Sequence, residues 1–111
     1  MQVIATMEDG VNNYSPPLLK LIIHGAPHVR MHRRFVKLYG DELLKACFTA
    51  GIPTPIGFRV DLWVHFIDPC SAEYDHLLTR LFEALDKRVL KDDSLIWTVR
   101  HLSKYYTSSR S

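Results

Sequence analysis

Residues 73–93 read EYDHLLTRLFEALDKRVLKDD, an amphipathic segment with carboxylates at both ends. Leu77, Leu78, Leu81, Phe82 and Leu85 recur at three- and four-residue intervals, and His76, Arg80, Glu83, Asp86 and Lys87 fall between them. That spacing predicts a helix from about Asp75 to Arg88 with one face in a core. Glu73 and Asp75 open the helix, where the positive end of the helix dipole favours ionised carboxylates, the form that coordinates a hard cation such as magnesium. Asp92 and Asp93 lie past the other end. A straight helix of that length rises about 20 Å, whereas five extended residues return at most about 17 Å. The acidic ends therefore meet if the chain doubles back sharply or if an antiparallel second copy supplies one of them. The sequence leaves both routes open.

Working outward, Leu95 to Leu102 reads LIWTVRHL and predicts a final strand with Leu95, Trp97 and Val99 on one face. Upstream, Phe58 to Ile67 reads FRVDLWVHFI, where Phe58, Val60, Leu62, Val64 and Phe66 alternate with Arg59, Asp61, Trp63 and His65 in the two-residue period of a strand. Between Arg33 and Ala50 the apolar residues follow a helical period that Gly51 and Pro53 stop. Leu18 to His24, LLKLIIH, is a short buried strand punctuated by Gly25 and Pro27. Residues 1–17 show no sustained period and read as a weakly ordered extension; residues 107–111 read as a tail. The expectation is an α/β (α+β) fold: one small domain over residues 18–106, in the order β-α-β-α-β, with two main helices on one face of a mixed sheet.

With 111 residues, of which 47% are hydrophobic, the chain has material for one core. No apolar run matches a bilayer crossing and the opening residues lack a secretory signal, so a cytoplasmic protein with no membrane partner is expected. Cys47 and Cys70 form no CxxC pair and are expected as free thiols. The net charge of +2 excludes little, but its distribution is uneven. A basic run, HVRMHRRFVK, spans His28 to Lys37, and the acids gather from Asp68 to Asp93. His28 and His32 stand four apart, as zinc ligands on one helix face would, yet no third ligand accompanies them. With Arg30, Arg33 and Arg34 they read better as phosphate contacts, which position DNA without reading its sequence.

The segments HGAPHVRMHRR, EYDHLLTR, LFEAL and KDDSLIW, in this order and spacing, resemble the motifs of the RusA-type Holliday-junction endonucleases, small dimeric enzymes often carried by prophages. The resemblance covers Leu18 to about Tyr106. It implies that Glu73, Asp75 and Asp93, with Asp92 beside them, hold Mg2+ and carry catalysis. It also implies that His28, Arg30, His32, Arg33 and Arg34 face DNA. The implied activity is paired phosphodiester cleavage of a four-way junction in recombination and repair, by a homodimer with no small-molecule substrate. In such chemistry a bound metal activates water and stabilises the leaving oxygen.

Three positions depart from the family's DLDNLxK motif: Glu73 stands for its first Asp, His76 for its Asn and Thr79 for its Lys. Arg80 and Lys91 are the nearby cations that would replace the lost ammonium. From these departures comes the alternative expectation of a non-catalytic protein that binds DNA junctions. A third expectation, without nucleic-acid chemistry, is a small interaction module in which Asp75 or Ser71 caps the helix and Asp92-Asp93 shapes a turn.

Overall fold

The computed structural model describes residues 1–25, 33–69 and 73–106, with only the backbone of residues 33 and 34. In chain order the elements are β1 (Gln2–Glu8), β2 (Leu18–His24), α1 (Arg33–Thr49), β3 (Val60–Ile67), α2 (Tyr74–Leu85), a 3-10 turn at Asp93–Leu95, and β4 (Ile96–Tyr105). The four strands form one mixed sheet in the order β1-β2-β3-β4. β1 runs antiparallel to β2, while β2, β3 and β4 are mutually parallel neighbours. The fold is a single α+β domain, and no helix among the described residues is long and apolar enough to cross a membrane.

One expectation is corrected at the N-terminus. Residues 2–8 are not a loose extension but a seven-residue edge strand, paired without interruption from Gln2 opposite His24 to Glu8 opposite Leu18. QVIATME alternates only weakly because its outward residues include Ile4, and a strand held by its ladder needs little periodicity of its own. The remaining strands and helices lie where their periods place them, with α2 ending at Leu85 rather than Arg88.

The core is one face of the sheet beneath the two helices. Leu19, Leu21 and Ile23 of β2 and Val60, Leu62, Val64 and Phe66 of β3 are fully buried, together with Tyr39, Leu43 and Cys47 of α1 and Leu77, Leu81, Ala84 and Leu85 of α2. The two helices touch at Gly40, where an added Cβ would lie 2.9 Å from the Ala84 carbonyl oxygen and 2.4 Å from Cδ of Arg88. Only a hydrogen allows that approach.

β4 breaks the simple alternation. Its register against β3 shifts between Val60 and Asp61 and again between Leu62 and Trp63, so that Ile96, Val99 and Leu102, three apart, pack on the core. Trp97 consequently does not share the buried face expected of it. It is about half exposed, and the Arg59 guanidinium lies 4.7 Å over its ring.

Leu81 has no solvent exposure. Leu81→Ala is expected to lower unfolding free energy by about 2 to 5 kcal/mol, through lost transfer energy and the cavity left behind. Urea denaturation checks this; a loss under about 0.5 kcal/mol would place Leu81 outside the packed core.

Candidate metal site

The N-terminal end of α2 carries the first group of ligands. Glu73 is the N-cap residue, extended at φ −71° and ψ 159°, and its side chain makes no capping bond. Its carboxylate thus remains available for other partners. Asp75 lies in the first turn, where its Oδ1 accepts the His76 N–H at 2.9 Å. Asp75 is not the N-cap residue, although its carboxylate satisfies one first-turn N–H, and Ser71, the other capping candidate, lies outside the described residues. Ligand atoms of Glu73, Asp75 and His76, all exposed, lie within 4.8 Å of one another. Thr79, at the position of the motif lysine, turns its hydroxyl back to donate to the Asp75 carbonyl at 2.8 Å. A cation reaches this end from elsewhere: Lys104 of β4 places Nζ 4.5 Å from the centre of the Tyr74 ring.

The other end of α2 holds the second group. The helix stops because Lys87 adopts a left-handed conformation, φ 61°, which directs the N–H groups of Arg88, Val89 and Leu90 back to the Leu85 carbonyl at 3.0 to 3.2 Å. Asp86 becomes the C-cap residue. Its Oδ1 accepts the Asp93 N–H at 3.0 Å, which ties the 3-10 turn to the helix end. Asp92 caps that turn by accepting the Ser94 N–H at 2.9 Å. Ligand atoms of Asp86, Asp92 and Asp93 again lie within 4.8 Å of one another.

The two groups are separated by the twelve residues of α2, a rise of about 18 Å at 1.5 Å per residue. Within one chain Asp93 therefore does not join Glu73 and Asp75 around a single ion. The chain does turn back sharply after Leu85, but the turn returns it to the C-terminal end of α2 and not to the N-terminal end.

Chemistry distinguishes the groups. Three carboxylates at Asp86, Asp92 and Asp93 present only hard oxygen donors, the set that suits magnesium. Glu73, Asp75 and His76 add an imidazole, which favours a transition ion such as zinc, iron or nickel. Electrostatics mark the all-carboxylate group. The Ser94 backbone N–H, then its hydroxyl, hold Asp92 below the usual carboxylate range. Partial desolvation, then the charge of Asp86 and the adjoining Asp92 carboxylate, push Asp93 above it. A bound divalent cation would offset that repulsion.

Asp86, His76 and Lys104 were missed as site residues. Asp86 reads as one more polar-face residue when the helix is drawn a turn too long, and Lys104 reaches the site only through sheet pairing. Of the expected DNA contacts, His28, Arg30 and His32 lie outside the described residues, and Arg33 and Arg34 begin α1. Arg80 gives its Nη1 to both Glu83 oxygens at 3.1 Å, so its charge is already engaged. Lys91 lies beside Gly57 on the strip where its N–H bonds the Ile56 carbonyl at 3.0 Å. Cys47 is buried, which raises its thiol to about 11 and leaves it unreactive. Cys70 lies outside the described residues.

Comparison with protein-family models, with curated protein sequences and with solved structures gives no match to this chain.

The charge arrangement has a pH signature. Asp93, raised in the folded state, disfavours folding while ionised, and this penalty is relieved as pH falls through its raised value. Asp92, lowered in the folded state, contributes stability above the ordinary aspartate value that is lost as pH falls through its depressed one. Carboxyl carbon NMR is expected to show Asp93 protonating before Asp92, and Asp86→Asn to move Asp93 back toward the ordinary range. An unchanged Asp93 in Asp86→Asn would refute the role given to Asp86.

Proposed function

We propose that this protein is a magnesium-dependent endonuclease that resolves branched DNA, with a four-way junction as substrate, in keeping with its resemblance to the RusA-type enzymes. The observation that carries the reading is the gathering of carboxylates into two ligand groups, one at each end of a single helix. When bound, a divalent ion would supply an activated water and charge stabilisation for the departing oxygen. Asp86, Asp92 and Asp93 would hold such an ion with three hard donors, and bonds from the Asp93 and Ser94 N–H groups fix the Asp86 and Asp92 carboxylates. At the other end the Lys104 ammonium lies 4.5 Å from the ring centre of Tyr74, the residue between Glu73 and Asp75, where it would serve the phosphate charge that the motif lysine serves. The basic run of residues 28–37 supplies phosphate contacts, and junction shape supplies selectivity.

The second reading is a junction-binding protein without catalysis. It is favoured by two observations: Thr79 bonds its own helix backbone in place of a cation, and the implied triad of Glu73, Asp75 and Asp93 is divided along α2.

A labelled synthetic four-way junction, incubated with Mg2+ beside linear duplex, decides between them. Paired, metal-dependent cuts are expected, with junction binding that weakens steeply with added salt. Asn keeps the side chain's shape but removes the charged oxygen donor that a hard cation takes, so Asp93→Asn and Asp75→Asn are compared at limiting Mg2+. Loss of cutting in both variants assigns both ends of α2 to the reaction; loss in Asp93→Asn alone assigns it to the carboxylate group. Junction-selective binding without cuts establishes the second reading, and neither binding nor cutting refutes both.

A further inference from the structure

The sheet face turned away from the helices brings three donor atoms together on β3 and β4. His65 lies directly opposite Ser103 in the ladder and Trp63 opposite His101, and residues 101 and 103, two apart on one strand, share a face. Ser103 Oγ is hydrogen-bonded to both imidazoles, to Nδ1 of His65 and to Nε2 of His101, the latter at 2.8 Å. A hydroxyl carries one proton and two lone pairs, so it donates to one ring and accepts the N–H of the other. All three side chains are half-buried, reachable from solvent yet partly shielded from it.

Neighbouring rings hold both imidazoles in place. The His101 ring stacks on Trp63 with centroids 4.5 Å apart and planes 14° from parallel. That of His65 leans on Trp63 at 6.2 Å and on Tyr105 at 6.4 Å. Ligand groups locked by packing on rigid strands are what a defined metal site requires.

We infer that His65, His101 and Ser103 form a binding site for a divalent late transition ion such as Zn2+ or Ni2+, separate from the carboxylate groups of α2. Imidazole is a donor that zinc, copper and nickel take, whereas magnesium requires a set of oxygens. Each neutral ring keeps its proton on the outer nitrogen and turns a lone pair to the ion. The Ser103 hydroxyl adds a neutral oxygen, and water completes the shell. Ligand atoms about 2.1 Å from an ion and at right angles to each other stand about 3.0 Å apart, close to the 2.8 Å between His101 Nε2 and Ser103 Oγ. The ion therefore takes the place of the shared hydrogens with little movement of the strands. Held there, it clips β3 to the edge strand β4 and stabilises the fold by mass action. The helices lie on the opposite face, so the site does not depend on nuclease activity.

Trp63 is the reporter. In Trp97→Phe it is the sole tryptophan, and Ni2+ bound to the ring stacked on it quenches its fluorescence. Titration of this full-length variant with Ni2+, in excess Mg2+ to occupy the carboxylates, is expected to give saturable quenching that Zn2+ reverses by competition. His65→Gln and His101→Gln, each added to it, should abolish the saturable phase, and circular dichroism reports whether each keeps its fold. Ser103→Cys, which places a thiolate donor at the same point, should tighten Zn2+ binding in that competition. Absence of saturable quenching, quenching that survives loss of either histidine in a folded variant, or no tightening in Ser103→Cys would each overturn the site.

Discussion

Burial of one sheet face under two helices is the constraint on which the rest of the molecule depends. Leu19, Leu21 and Ile23 alternate on β2, and Leu62, Val64 and Phe66 alternate on β3, so the parallel pairing of these strands stacks six large side chains on one side. Burying each contributes about 1.5 to 3 kcal/mol relative to exposure, and α1 and α2 are the only described elements broad enough to cover them. Their own buried residues, Leu43 and Cys47 on one and Leu77, Leu81 and Leu85 on the other, then fix each helix's rotation. Rotation in turn decides which polar residues are offered to solvent. Asp75 and Thr79 face outward because Leu77 and Leu81 must face inward.

With its rotation fixed, α2 acts as a rigid spacer between its two acidic ends. This has an electrostatic advantage. Five carboxylates and an imidazole crowded together without a cation would repel one another more strongly than two groups of three; Asp93 is already held above the usual carboxylate range, first by partial desolvation and then by the charges of Asp86 and Asp92. The tension is held by backbone geometry: the left-handed Lys87 stops the helix, and the Asp86 and Asp92 carboxylates fold the next turn around themselves. Structure and ligation thus draw on the same residues. Substituting them affects both.

The uncovered sheet face has a different character. Lys20, Trp63 and His101 stand side by side on β2, β3 and β4, with the Lys20 ammonium 4.7 Å from one ring face of Trp63 and the His101 ring stacked at 4.5 Å on the other. Both faces of the indole are occupied, so it does not serve as a platform for a base. His65 bonds the Ser103 hydroxyl on the same side of the sheet, away from α2 and its carboxylates. Nearby, the buried Asp61 carboxylate takes the Arg100 guanidinium at 2.7 Å and ties the central strand to the edge. Cross-strand pairs of this kind give a parallel sheet with one bare face a stable, largely polar covering.

Local periodicity was enough to place both helices and three of the four strands, because each buries one face and its apolar spacing records that face. The carboxylates at the two ends of 73–93 were legible for the same reason, but whether those ends meet was left open, and the turn after Leu85, which returns the chain only to the C-terminal end of α2, decides it. What lay beyond local pattern was decided by pairing. β1 carries a weak pattern and exists through its ladder to β2. The three-residue spacing of Ile96, Val99 and Leu102 follows from register shifts against β3, and it overrides the alternation that would have buried Trp97. Asp86 joined the acidic group because αL geometry at Lys87 ended the helix early, and Lys104 joined the far end because β4 runs beside β3. A side chain's own segment determines which way it faces; only the partner strand or turn, brought from elsewhere in the chain, decides what it meets there.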